Sequence, residues 1–249
     1  MIIRTFLRSF FIQAVWNFES MLSIGFTYIL LPAIRRFYSD QEARKEALSR
    51  HLRFFNTNPY LAGPIIGLTI AKEKALARGE EGITPEEIST LKTSMMGPLA
   101  VVGDNLFWAT WRPLTAFLGV ILAWNGNILG PVLFLLLYNS LQIPLRYWGI
   151  KGGYTLREEE LLHLIKRLTA SNILPYLKIV ALVLVGGVIG GLTEMHGLGI
   201  ETVSLAQGIE VKCISALIVL SIAWGIHKGL SPANIFGLMV GASILGGFL

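Results

Sequence analysis

Four short stretches of a largely apolar chain carry the side chains that could do chemistry. QAVWNFESM (13–21) holds Gln13, Trp16, Asn17 and Glu19, and NTNP (56–59) holds Asn56, Thr57 and Asn58. MMGPLAVVGDN (95–105) ends in Asp104 and Asn105, and Arg112 precedes Pro113. Carboxylates and carboxamides can hold paired hydroxyls, while an indole offers a flat face to C–H groups. That combination suits a neutral polyol such as a sugar. Simpler roles stand beside it: Asp104 and Arg112 can pair across one helix face, Asn56 and Asn58 can cap the helix after Pro59, and Trp16 can sit in an interfacial aromatic belt. GPLAVVGD looks like a phosphate loop but lacks the following Lys-Ser/Thr pair. No HExxH, CxxC or Ser-His-Asp spacing occurs, the four histidines (51, 163, 196, 227) are scattered, and Cys213 is alone. No catalytic residue, metal or cofactor is therefore expected on this chain.

The elements that must position these groups follow from the solvent. Hydrophobic residues make up 53% of the 249 and charged residues only 15%, with mean hydropathy +0.59. No charged side chain lies between Arg112 and Arg146, Lys178 and Glu194, or Lys212 and Lys228, nor from Gly229 to the end. Such intervals suit a bilayer, where a spanning helix needs about 20 apolar residues. Spans are expected at about 106–124, 128–148, 173–193, 212–227 and 231–249. The connector 149–172 carries Lys151, Arg157, Lys166 and Arg167, whereas 193–210 has no Lys or Arg, so the first is placed in the cytoplasm and the second outside. The net charge of +5 fits a cytoplasmic-face bias rather than nucleic-acid binding. No signal-peptide cleavage pattern stands out.

Residues 1–97 read differently from 98–249. Two charged helices are expected, one capped by Ser39 or Asp40 and one by Thr84 with Pro85 in its first turn. GFTYILLPAI (25–34) precedes the first and PYLAGPIIGLTIA (59–71) lies between the two, ten and thirteen residues long and too short to cross as straight helices. Re-entrant or broken helices are expected there, since irregular backbone survives at membrane depth only against protein or a wet cavity. A carboxylate at that depth costs about 2.5–3.5 kcal/mol on insertion scales, so Glu19 and Asp104 require a partner or a function. The fold class is all-α: a polytopic integral membrane protein with such helices in its N-terminal half and about five spanning helices in its C-terminal half.

Four stretches in series, AVWNFESMLSIGFTYILLPAIRRFY, RHLRFFNTNPYLAGPIIGLTIAKE, MGPLAVVGDNLFWATWRP and LLYNSLQIPLRYWGIKGGY, resemble the IID membrane component of the mannose-family sugar phosphotransferase system (PTS). The resemblance implies a multi-pass protein of the bacterial cytoplasmic membrane that pairs with a IIC subunit as trimers of IIC-IID pairs. Soluble IIA and IIB (or IIAB) components would supply phosphate, so the phosphoryl-transfer residues lie on other subunits. It makes Gln13, Trp16, Asn17, Glu19, Asn56, Thr57 and Asp104 the candidates for the sugar site and its supports. Val101 stands where the family usually has glycine, and Asn105 where Pro or Ser is common. Val adopts positive φ only at a cost, so a changed loop, and a degenerate member that scaffolds or regulates without transporting, is the alternative.

Overall fold

The computed structural model describes residues 1–123, 126–156 and, beyond these, 159–161, 163, 167, 176, 234 and 237. The chain forms two compact units, Met1–Val185 and Gly186–Leu249. Asn234 and Gly237, both helical, are the described residues of the second. The expected spans at 173–193, 212–227 and 231–249 lie outside the described residues except at Tyr176, Asn234 and Gly237.

The described elements are helices: α1 (Ile2–Ser9), α2 (Ser23–Phe37), α3 (Gln41–His51), α4 (Gly63–Ala77), α5 (Pro85–Gly103), α6 (Arg112–Ala123) and α7 (Leu129–Thr155). Local chemistry sets the starts of α3 and α5. The Asp40 carboxylate accepts from the Ala43 N–H at 2.8 Å, and the Thr84 hydroxyl accepts from the Glu87 N–H at 3.1 Å, each satisfying a donor the first turn leaves open. α2 and α4 have 15 residues each, about 22 Å at 1.5 Å per residue and short of a hydrocarbon core of about 30 Å.

α5 does not end where the apolar sequence begins. It passes through residue 97 and continues as a π-helical segment, Asp104–Trp111, into α6. The span expected at about 106–124 is thus the far half of one helix, Pro85–Ala123, which among the described residues is the one long and apolar enough to cross a membrane. The wide turn is held by the Thr110 hydroxyl donating to the Asn105 carbonyl at 2.8 Å. α7 likewise outruns its expected end at 148, reaching Thr155. Between α6 and α7 the chain reverses at Gly126 (φ +73°), and the Asn127 side chain accepts from the Leu129 N–H at 2.9 Å.

Glycine decides how closely the helices approach. Gly63 and Gly67 on α4 meet Gly149 and Gly153 on α7, each pair four residues apart. A Cβ at Gly67 would fall on the Ile150 carbonyl oxygen, and one at Gly153 on that of Pro64. This is small-xxx-small packing, which lets backbones touch where lipid offers no hydrophobic drive for helix association. Ile12, Phe26, Ile29, Phe55, Ile66 and Met95 fill the core between α2, α4 and α5. Outside it, Leu118, Ile121, Leu135 and Leu136 of α6 and α7 are exposed, a surface that suits lipid or a partner rather than water.

A buried polar latch ties α2, α3 and α4 together. The Glu73 carboxylate, 1% exposed, accepts from Arg50 Nε and His51 Nε2 at 2.8 Å each and from the Tyr38 hydroxyl at 2.6 Å. Burial alone would raise its pKa, but the bonds from His51 and Arg50 outweigh that and hold it at about 2. Burial lowers the pKa of His51, Lys92 and Arg50 nearby adding to the effect, so the ring is neutral near pH 7. Because a carboxylate can only accept, the His51 proton sits on Nε2. Its Nδ1 has no partner among the described residues.

Candidate functional site

Residues 10–22 form a tight loop between α1 and α2. Ile12 is fully buried against Gly25, whose missing Cβ admits the Ile12 backbone. The Asn17 carboxamide accepts from the Ser20 N–H at 2.8 Å and from its hydroxyl at 3.2 Å, folding NFES into a turn. That turn closes through Met21, the one non-glycine residue with positive φ (55°) among those described. The Leu22 N–H then donates to the Phe55 carbonyl at 2.9 Å, and the Phe55 N–H to the Ser20 carbonyl at 3.3 Å, which seats the loop on the α3–α4 linker.

That linker contains NTNP, and it reaches α5 in turn. The Asn56 N–H contacts Met96 Sδ at 3.2 Å, and the Thr57 hydroxyl donates to the Met96 carbonyl at 3.0 Å. The Asn58 carboxamide donates to Asp104 Oδ1 at 2.9 Å and accepts from the Tyr60 N–H at 3.0 Å. Asn58 is therefore no cap of the next helix. α4 starts later, at Gly63 after Ala62, with Pro64 rather than Pro59 in its first turn. Asp104 pairs with Asn58 and not with Arg112, whose guanidinium lies 5.5 Å from the Trp108 ring centroid.

Three of the four polar stretches thus meet. Thr57 and Asn58 are buried with their side chains engaged, and Asn17 is half-buried and committed to its turn. Gln13, Trp16, Glu19, Asn56 and Asp104 are exposed. Trp16 packs edge-on to Phe18 at 4.6 Å, and Phe18 is 85% exposed. Gln13 shares the loop with Asn17 and Glu19, but no bond links its side chain to Asn56 or Asp104.

An aromatic and cationic wall continues from Asp104, and sequence reasoning missed it. Tyr60 packs at a tilt against Phe107 and Trp108 (4.7 and 5.5 Å between ring centroids), and the Tyr138 hydroxyl donates to that of Tyr60 at 2.8 Å. Arg146, 5% exposed, lies 5.0 Å from the Tyr60 ring centroid and donates to the Ser9 carbonyl at 2.7 Å and to Gln142 at 3.1 Å. The signal available was Arg146 itself, a lone cation closing a long uncharged interval, which calls for interior partners. Val101, by contrast, sits in regular helix with an exposed side chain. No positive φ is needed there, so its replacement of glycine leaves the backbone unchanged.

All 249 residues match the family of PTS system mannose/fructose/sorbose family IID components. The chain belongs to that family. The mannose-specific EIID component of Escherichia coli (strain K12) is 49% identical over 151 residues, a match covering 60% of this chain and spanning about half, 53%, of the relative. The fructose permease IID component of Bacillus subtilis (strain 168) is 37% identical over 265 aligned positions, 98% of this chain and 94% of the relative. Among solved structures, a cryo-EM structure of the mannose transporter ManYZ with microcin E492 aligns with a TM-score of 0.61 at 34% identity, covering 98% of this chain and 93% of that one. A second membrane protein structure aligns at 0.72 and 36% identity, covering 98% and 94%. As a IID component, this is a helical membrane protein.

Proposed function

We propose that this IID component forms, with a IIC membrane subunit, the path by which a hexose or amino sugar enters the cell. Soluble IIA and IIB (or IIAB) components phosphorylate the sugar on the way in. The complex is a trimer of IIC-IID pairs in the bacterial cytoplasmic membrane, each IID chain multi-pass, with α2 and α4 as short re-entrant elements. Gln13, Trp16, Glu19, Asn56 and Asp104 face the sugar, while Asn17 and Thr57 support them by fixing the loop and the linker.

One observation carries this reading: the linker that holds Asn58 on Asp104 also seats the 13–21 loop through Phe55, so three polar stretches converge in a chain that matches the IID family throughout. Asn56 and Asp104 would offer hydrogen bonds to hydroxyls, and Trp16 and Trp108 flat faces to the ring. The test is to make the chain together with a IIC subunit and the soluble components, and to follow uptake of mannose, fructose and sorbose. Accumulation of one of them as its phosphate supports the reading. Assembly of the pair with no uptake of any sugar would overturn it.

A further inference from the structure

A cleft of about 960 Å³ opens between α1 and the carboxyl-terminal ends of α2, α4 and α7, away from the loop and linker described above. Arg4, Arg36, Lys74 and Arg78 line it, and no carboxylate does. Helix ends account for part of this charge. Arg36 and Lys74 occupy the last turns of α2 and α4, where the negative end of the helix dipole favours a cation. Arg78 follows α4 and has Glu80 at 3.9 Å, both well exposed. Arg4 has no such account. It lies in the first turn of α1, where the dipole opposes a cation, and among the described residues it has no acidic partner. Its charge adds to a gathering of like charges that only an anion would relieve.

The cleft is also built and two-sided. Lys74 is held in place, its ammonium donating to the Tyr154 hydroxyl at 3.2 Å. Ile3 and Phe37 form an apolar part of the wall. α1 turns its polar residues Thr5 and Ser9 inward and leaves Ile3 and Leu7 66% and 57% exposed. This inverted helix presents hydrocarbon outward, beside the cations. Guanidinium forks match phosphate oxygens, and basic pockets beside membrane helices suit anionic headgroups.

We propose that this cleft binds the phosphate of an anionic phospholipid headgroup, with the acyl chains along the outward face of α1. The inference rests on the membrane placement given under Proposed function and not on the sugar path.

The test is native mass spectrometry of the detergent-purified complex of this chain with its IIC subunit, titrated with phosphatidylglycerol or phosphatidylcholine of equal chain length. Phosphatidylglycerol should be retained and phosphatidylcholine lost. Arg4→Gln combined with Arg36→Gln should weaken phosphatidylglycerol retention roughly thirty-fold, the affinity falling to about one fifth with each cation removed. Lysine at both positions should restore most of it, and Arg35→Gln, outside the cleft, should change nothing. If the double glutamine variant fails to assemble, Lys74→Gln takes its place with weakened retention again expected. Equal retention by wild type and variants would overturn the proposal, as would equal retention of the two lipids. Displacement of phosphatidylglycerol by millimolar inorganic phosphate would also overturn it and assign the cleft to free phosphate. Specific lipid retention by a complex that moves no sugar would leave this inference standing while overturning the transport reading.

Discussion

Single residues in this subunit divide into those spent on the fold and those left over. Glu73 is spent: replacing it with Gln removes the charge that compensates buried Arg50, and loss of one partner of a buried pair costs about 3–5 kcal/mol. The variant's melting temperature, measured in detergent, should fall clearly below that of the wild type. The same latch sets a pH dependence. His51 has its pKa lowered from 6.5, and Glu73 from 4.5 to about 2. For both groups the unfolded chain binds more protons, so stability is complete above about pH 6.5 and is lost as pH falls, with a steeper loss from 4.5 toward 2. Thermal unfolding measured across that range should show the decline, and a flat profile would contradict it. Asp104→Asn should keep the Asn58 contact, since an amide oxygen still accepts, yet lower sugar uptake. The caps at Asp40 and Thr84 were legible in sequence because the carboxylate and hydroxyl act three residues away. The Asn58–Asp104 and His51–Glu73 bonds were not, because 46 and 22 residues separate the partners and nothing local marks them.

Among the elements, the α4–α7 contact is the joint most sensitive to volume. Gly67→Ala would place a methyl group on the Ile150 carbonyl and force the backbones apart, a misfit that costs about 1–3 kcal/mol or more. Gly97→Ala on α5 meets no atom within 4 Å, and a helix-interior glycine replaced by alanine gains about 0.5–1 kcal/mol. Paired melting curves should therefore shift in opposite directions. The shortness of α2 and α4 could be read from their apolar runs, because length alone decides whether a helix crosses. The continuity from Pro85 to Ala123 could not. The sequence shifts from charged to apolar near residue 97, but a helix backbone is indifferent to that shift. Its π-helical turn depends on the Thr110 hydroxyl finding a carbonyl five residues back.

At the level of the whole molecule, the exposed apolar loop with Phe10, Phe11, Val15 and Phe18 and the outward leucines of α6 and α7 require company. Expressed without a IIC subunit, the chain should show no sugar uptake in reconstituted vesicles; uptake by the chain alone would contradict the shared path. The central claim is that polar groups left over after folding are there to hold a carbohydrate. Asn56 tests it most directly, because its side chain is exposed and no other described residue bonds to it, so its loss should spare the fold. The decisive measurement is uptake of the transported sugar by the assembled complex carrying Asn56→Leu. The account predicts assembly as in the wild type and uptake reduced about tenfold or more, the worth of one lost hydrogen bond at a desolvated site; uptake at the wild-type rate by the assembled variant would contradict it.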